Sequence, residues 1–159
     1  MQRILIAGEG GQGVQLAAEI LAKSVFEEGK KASYIPNFGV EQRGGVSLAF
    51  VIIDDEPIIY PKFYEADVLV IMIERARERT KTYLTPKTKI IDATKLNFKD
   101  LPLKTYNMFI LGNLIKLTQA ASIETVMGVL EEKIGSKFAK DPRLREDNLR
   151  ALKMGCQQL

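Results

Sequence analysis

The sequence predicts an α/β domain: a mostly parallel sheet flanked by helices, with one β-hairpin. Three observations carry this. Short apolar runs alternate with helical patterns along most of the chain. The first apolar run opens, through a glycine-rich turn, directly into an amphipathic helix. The 159 residues, 46% hydrophobic and 27% charged, suffice for a single domain with a real core and show no linker, repeat or low-complexity segment.

The elements follow in order. Ile4-Leu5-Ile6 reads as the first strand. Val14 to Phe26 reads as a helix, with Val14, Ala17, Ala18, Leu21 and Val25 on one stripe facing a sheet. Gly29 is placed to end it. Ala32-Ser33-Tyr34-Ile35 is the second strand, so residues 2–36 form a β-α-β unit with a right-handed crossover. A loop over 36–45 leads to a buried strand, Val46 to Ile53. Asp54-Asp55-Glu56 then makes a turn, and Pro57-Ile58-Ile59-Tyr60 returns as a short antiparallel partner, giving the hairpin. Asp67 to Ile73 is another strand. The charged stretch Glu74 to Tyr83, with Glu74, Arg75, Arg77, Glu78 and Arg79, suits a solvated helical face with i, i+4 pairs rather than an anion site. Lys89 to Asp92 is a further strand. After an irregular segment, 94–104, Asn107 to Thr118 forms an apolar helix. Ser122 caps the next helix, which Gly135 stops after Ile134. Asp141-Pro142 opens a last helix, to about residue 155, with few apolar residues for its length. That helix either meets a partner chain or covers an edge.

The turn Gly8-Glu9-Gly10-Gly11-Gln12-Gly13 places Gly8, Gly10 and Gly13 at the spacing G-x-G-x-x-G, between a strand and a helix in a Rossmann-like setting. Such a loop lets backbone N–H groups approach a phosphate at the positive end of a helix. The same glycines also suit a tight turn that packs the helix on the sheet. A dinucleotide is disfavoured by a specific absence. No Asp or Glu ends the second strand to hold ribose hydroxyls, and Glu27 and Glu28 belong to the helix. No Gly-Lys-Ser/Thr follows either, so the loop is not of the Walker type.

In such sheets ligands bind outside the carboxyl ends of the strands. The glycine loop and the loop 36–45 should therefore converge on one rim. The second loop ends in Glu41-Gln42-Arg43-Gly44-Gly45. Gly44 and Gly45 allow close backbone approach. Arg43 offers a planar donor fork to a phosphate or carboxylate, and Glu41 can orient it. An internal Glu41–Arg43 salt bridge that shapes the loop is the equal alternative.

Absences exclude much. There is no histidine, which removes the usual neutral-pH base and the commonest metal ligand. There is one cysteine, Cys156, whereas an iron–sulfur cluster takes about four. A formal charge of +3 is too small to argue for nucleic acid, and no apolar run approaches the ~20 residues of a membrane span. The chain starts directly on a strand, without a signal peptide, so a cytoplasmic location is expected.

Gly8 to Val14, followed by Pro36-Asn37-Phe38-Gly39-Val40-Glu41-Gln42-Arg43-Gly44-Gly45, resemble the gamma subunit of 2-oxoacid:ferredoxin (acceptor) oxidoreductases of the 2-oxoglutarate, pyruvate or 2-ketoisovalerate type. The intervening helix, the segment to Ile59-Tyr60-Pro61, the strand from Asp67 and Asn107…Gly112 fit too; the last helix fits least. The resemblance implies an enzyme that converts a 2-oxoacid and coenzyme A to acyl-CoA and carbon dioxide while reducing ferredoxin. It places thiamine diphosphate, magnesium and iron–sulfur clusters in partner subunits of alpha, beta and delta type. It associates this chain with coenzyme A, through Gly8, Gly10, Gly11, Gln12, Gly13, Glu41, Arg43, Gly44 and Gly45. The chain is then expected to be inactive alone, with a homodimer possible when isolated. Two rivals stand beside it: a freestanding Rossmann-like nucleotide-binding module, and a purely structural subunit.

Overall fold

The computed structural model describes residues 1–37, 45–98 and 100–158. Its elements are β1 (Gln2–Glu9), α1 (Val14–Glu27), β2 (Lys31–Asn37), β3 (Val46–Asp54), β4 (Val68–Ile71), α2 (Ala76–Thr80), β5 (Lys89–Asp92), α3 (Tyr106–Thr118), α4 (Ile123–Lys140) and α5 (Pro142–Gln158). The strands form one sheet in the order β2-β3-β1-β4-β5. β1, β4 and β5 are parallel, while β3 runs antiparallel to both of its neighbours.

The fold is α/β with helices flanking the sheet, as expected, but the sheet is mixed rather than mostly parallel. The reason lies after β2. The next described element is β3, which lies antiparallel between β2 and β1. β1 and β2 are thus not neighbours in their β-α-β unit. The hairpin is also not where the sequence placed it. β2 and β1 occupy both edges of β3, from Lys31↔Asp54 on one side and Gln2↔Ile53 on the other. Pro57 to Tyr60 finds both edges of its expected partner β3 taken and is not a strand; Ile59 is 96% exposed.

Both faces of the sheet are covered, and the period-2 alternation divides them. Ile4, Ile6, Val68 and Val70 face one core with Val14, Leu21, Phe109, Leu114, Leu130 and Leu152 from α1, α3, α4 and α5. Leu5, Ala7, Leu69 and Ile71 face a smaller core with Phe50, Phe63 and Ala76. There Phe63 and Tyr83 set their rings edge-on to Phe50, at centroid distances of 5.2 and 5.5 Å.

The signals of the last two helices fare differently. The helix from Ile123 breaks at Ile134, where φ is −127°, as the Gly135 stop signal indicates, and helical turns resume beyond the kink to Lys140. α5 packs inside the chain rather than merely covering an edge: Asn148, Ala151, Leu152 and Gly155 are buried, chiefly against α3. Gly112 and Gly155 let the two backbones meet, so the contact needs few large apolar residues.

The parallel strands are clamped at their starts. Arg3 donates from Nε to Asp67 Oδ2 and from Nη2 to Oδ1, both at 3.0 Å, and its backbone N–H donates to Oδ2 at 2.8 Å. The Arg3 hydrogen bond, against the opposing effect of partial burial, holds the Asp67 carboxyl below its ordinary range. A lowered folded value means that the stabilisation is complete above the ordinary carboxylate range and is lost as pH falls through the folded value. Asp67→Asn is therefore expected to cost about 1 kcal/mol at neutral pH, since the pair is partly exposed. Denaturant melts should show that difference shrinking as pH drops from about 4 towards 2.

Candidate functional site

The connections after β1 and β4 leave the sheet on opposite faces. α1 packs in the core with Ile4 and Ile6, whereas Ala76 of α2 packs with Leu5 and Ala7. β1 and β4 are adjacent and parallel. Their carboxyl ends therefore flank a topological switch point, where α/β sheets open a ligand crevice. The glycine loop 8–13 forms one lip, and Met72 to Arg75 the other. The lips are joined by Met72 N–H donating to Ala7 O at 2.8 Å and by the Arg75–Glu9 ion pair.

The register brings the second loop's stems to the same rim. Val46 pairs with Glu9, and Asn37 pairs with Leu48 one strand further out. Gly45 directly precedes Val46 and lies at this end of the sheet. Glu41, Arg43 and Gly44 fall outside the described residues.

The structure separates the loop glycines by task. A Cβ on Gly8 would lie 2.6 Å from Val14 Cγ2 and 3.2 Å from Met72 Cβ, so Gly8 is needed for the helix to approach the sheet. A Cβ on Gly13 would overlap Asn107 Nδ2, and Gly13 has φ of 75°. Gly10 and Gly11 instead face open space, with Gly11 at φ 92°. The glycines that close packing requires, Gly8 and Gly13, are thus distinct from those that face open space. Gln12 braces the loop: its Oε1 accepts from Glu9 N–H at 2.7 Å, and its own N–H donates to Glu9 O at 3.1 Å.

A cavity of about 180 Å³ opens beside the loop, lined by Gly11, Gln12, Gly13, Leu103, Lys104, Tyr106 and Asn107. Lys104 and Asn107 were not among the site residues expected from sequence. Lys104 sits in the segment read as irregular, and Asn107 stood out only as the start of the Asn107…Gly112 stretch that fits the family resemblance.

The charged stretch after β4 is tied down, as expected of a solvated face, although its pairs are i, i+3: Glu74–Arg77 and Glu78–Lys81. Arg77 also reaches Asp92 at 2.5 Å. Burial alone would raise the Asp92 carboxyl, but hydrogen bonds from Thr94, Arg77 and Lys95 hold it well below its ordinary range. Cys156 is half-buried, and its thiol donates to Gly112 O at 3.4 Å. Burial pushes this thiol up, away from the reactive thiolate. Among the described residues no group of His, Cys, Asp and Glu could hold a metal ion. No described helix is long and apolar enough to cross a membrane.

A five-stranded α/β sheet with a glycine loop at its switch point defines a Rossmann-like domain. Residues 3–106 match the family model described as pyruvate ferredoxin/flavodoxin oxidoreductase, and the chain belongs to that family. It is 35% identical over 174 residues to the common gamma subunit of the pyruvate/ketoisovalerate oxidoreductases of Thermococcus litoralis, over 90% of this chain and 94% of the relative. Its fold superposes on the gamma subunit of a keto/oxoacid ferredoxin oxidoreductase from Geobacter sulfurreducens with a TM-score of 0.80 at 25% identity, covering 99% of this chain and 95% of the other. A TM-score of 0.84 at 21% identity relates it to the 2-oxoglutarate:ferredoxin oxidoreductase of Magnetococcus marinus, covering 99% of this chain and 30% of that one; that structure holds 2-oxoglutarate, coenzyme A and succinyl-CoA. The chain is a gamma subunit of a 2-oxoacid:ferredoxin oxidoreductase, a multi-subunit enzyme.

Proposed function

We propose that this subunit helps the assembled enzyme bind coenzyme A for the oxidative decarboxylation of a 2-oxoacid to acyl-CoA and carbon dioxide. The observation that carries this is the glycine loop at the switch point, with Gly10 and Gly11 facing open space beside a cavity. Coenzyme A carries a diphosphate and a 3′-phosphate, which suit backbone N–H groups at a helix N-terminus. The coenzyme A bound by the Magnetococcus enzyme, of the same fold, supports the choice of ligand. Gly8, Gly10, Gly11, Gln12 and Gly13 form or brace the loop, while Glu41, Arg43, Gly44 and Gly45 supply a second set of contacts from the neighbouring loop.

The remaining chemistry belongs to partner chains. One cysteine does not fit a cluster that takes about four, and the Gly-Asp-Gly…Asn signature of thiamine diphosphate and its magnesium is absent. Alpha-, beta- and delta-type subunits supply these groups and pass electrons to ferredoxin, in the cytoplasm. Ile59, Tyr60 and Tyr64, 96%, 63% and 78% exposed on the face away from α1, offer apolar area for such contacts. An isolated chain would cover the same area by pairing with itself.

The experiment is reconstitution. The purified chain alone should oxidise no 2-oxoacid. Adding the thiamine and cluster subunits should restore coenzyme A-dependent reduction of an acceptor. Turnover by the single chain, or by the other subunits without it, would refute the proposal. Binding of NAD, FAD or ATP by the isolated chain would favour the freestanding module instead.

A further inference from the structure

The cavity beside the glycine loop has a one-sided chemistry. Each side-chain oxygen on its wall already has a use. Gln12 Oε1 accepts from Glu9 N–H, and the Tyr106 hydroxyl donates to Ala93 O at 3.0 Å. Asn107 Oδ1 accepts from Met108 N–H at 3.0 Å, which fixes the other end of that amide as the NH₂. Asn107 is only 7% exposed, and its Nδ2 turns towards Gly13. No acceptor takes that NH₂ among the described residues. That NH₂ opens onto the cavity, where it can donate to an acceptor from outside the chain.

Lys104 lines the same cavity with its side chain half exposed. Its nearest carboxylate is Asp141 Oδ2, at 3.9 Å. Asp141 also uses Oδ1 to cap α5, accepting from Leu144 N–H. The ammonium is therefore available to a closer anion. The glycine loop, the Asn107 amide and the Lys104 side chain line one cavity. A set of donors with a cation suits an oxyanion such as phosphate.

We propose that Lys104 and Asn107, with the Gly11–Gly13 backbone, form a phosphate subsite that takes a phosphate group of a nucleotide-type ligand. The proposal rests on reading the glycine loop as part of the coenzyme A site, and it adds two residues that position one phosphate there.

The test titrates the ¹⁵N-labelled full chain with inorganic diphosphate at low salt and follows amide resonances. Saturable shifts are expected at Gly11, Gln12 and Gly13 and at the Asn107 side-chain NH₂. Lys104→Ala should weaken binding roughly tenfold, as loss of a charge-assisted contact. Lys104→Arg should keep most of it, and Lys153→Ala, a control away from the cavity, all of it. Asn107→Asp should abolish binding by placing a carboxylate among the donors; if that variant fails to fold, exposed Lys104 still decides. Absence of saturable shifts at these groups, or binding indifferent to Lys104→Ala, overturns the subsite.

Competition separates the two readings. Displacement of diphosphate by coenzyme A, and less readily by dephospho-coenzyme A, supports both and identifies the 3′-phosphate. Diphosphate held through Lys104 and Asn107 that coenzyme A does not displace keeps the subsite and removes the coenzyme A reading. A coenzyme A dependence of the assembled enzyme that ignores Lys104→Ala keeps that reading and overturns the subsite.

Discussion

Gly155→Ala is expected to cost about 3 kcal/mol of stability, the upper part of the range for overpacking a tight contact. For a chain of this size that is roughly a 6–12 °C fall in melting temperature. A Cβ at position 155 would overlap the Phe109 carbonyl oxygen and sit 3.0 Å from both Asn113 N and Gly112 Cα. A Cβ at Gly112 would overlap the Leu152 carbonyl oxygen and sit 2.9 Å from Cys156 N. These obstacles are mostly backbone, so no side-chain rotation relieves them. α3 and α5 would have to separate, which loosens the burial of Phe109, Leu111 and Leu152. The crossing has little slack, because Asn113 lies within it with Oδ1 buried and unpartnered and Nδ2 donating to Phe109 O at 2.9 Å. Gly128, with open space around its would-be Cβ, is the control. Gly128→Ala should be neutral or stabilise α4, by up to about 1 kcal/mol. Thermal melts of the two variants check this, and equal melting temperatures would mean that the crossing is looser than described.

The second large effect separates two glycines of the loop. Gly13→Val should both destabilise the chain and abolish ligand binding, since its φ of 75° is unfavourable for valine and its side chain drives into Asn107. Gly11→Val has the same kind of backbone cost, ~1–2 kcal/mol, but meets no atom within 4 Å. The folded chain should tolerate it, while the space a phosphate would occupy is filled. In the assembled enzyme, the Michaelis constant for coenzyme A should rise at least about tenfold for Gly11→Val, one lost charge-assisted contact or more. Melting temperature should fall further for Gly13→Val than for Gly11→Val. If Gly11→Val leaves the coenzyme A dependence unchanged, the open face of the loop is not a ligand face.

The strong local signals in the sequence were reliable. α1 begins at Val14 and β5 spans Lys89–Asp92, as periodicity and turn chemistry indicated. The stems of the two glycine-containing loops lie at one rim, where Glu9 pairs with Val46, while residues 38–44 lie outside the described residues. What escaped depends on contacts far apart in the chain. Pro57 to Tyr60 carries a strand-like pattern, but pairing needs a free edge, and β2 had already taken it. Gly135 marks a real break at Ile134, but its local signal does not show that helix resumes to Lys140, with Phe138 buried in the main core. α5 reads as weakly apolar because glycine, which contributes no side chain, makes its tightest contact. Lys104 and Asn107 reach the glycine loop only through the packing of α3 beside α1, some ninety positions along the chain. Arg43, the clearest polar residue of the second loop, remains a reading of its sequence and motif.

Arg43 therefore offers the most direct measurement. Coenzyme A and the 2-oxoacid are varied separately in assembled complexes carrying Arg43→Ala or Arg43→Lys, each first shown to contain every subunit. The account predicts a Michaelis constant for coenzyme A raised roughly ten- to a hundredfold by Arg43→Ala, and only partly restored by Arg43→Lys, which lacks the planar fork. Dependence on the 2-oxoacid should be unchanged, and decarboxylation at the thiamine should remain detectable. Intact complexes with an unaltered coenzyme A dependence, or variants whose only defect is failure to assemble, would contradict it and leave this chain a structural subunit.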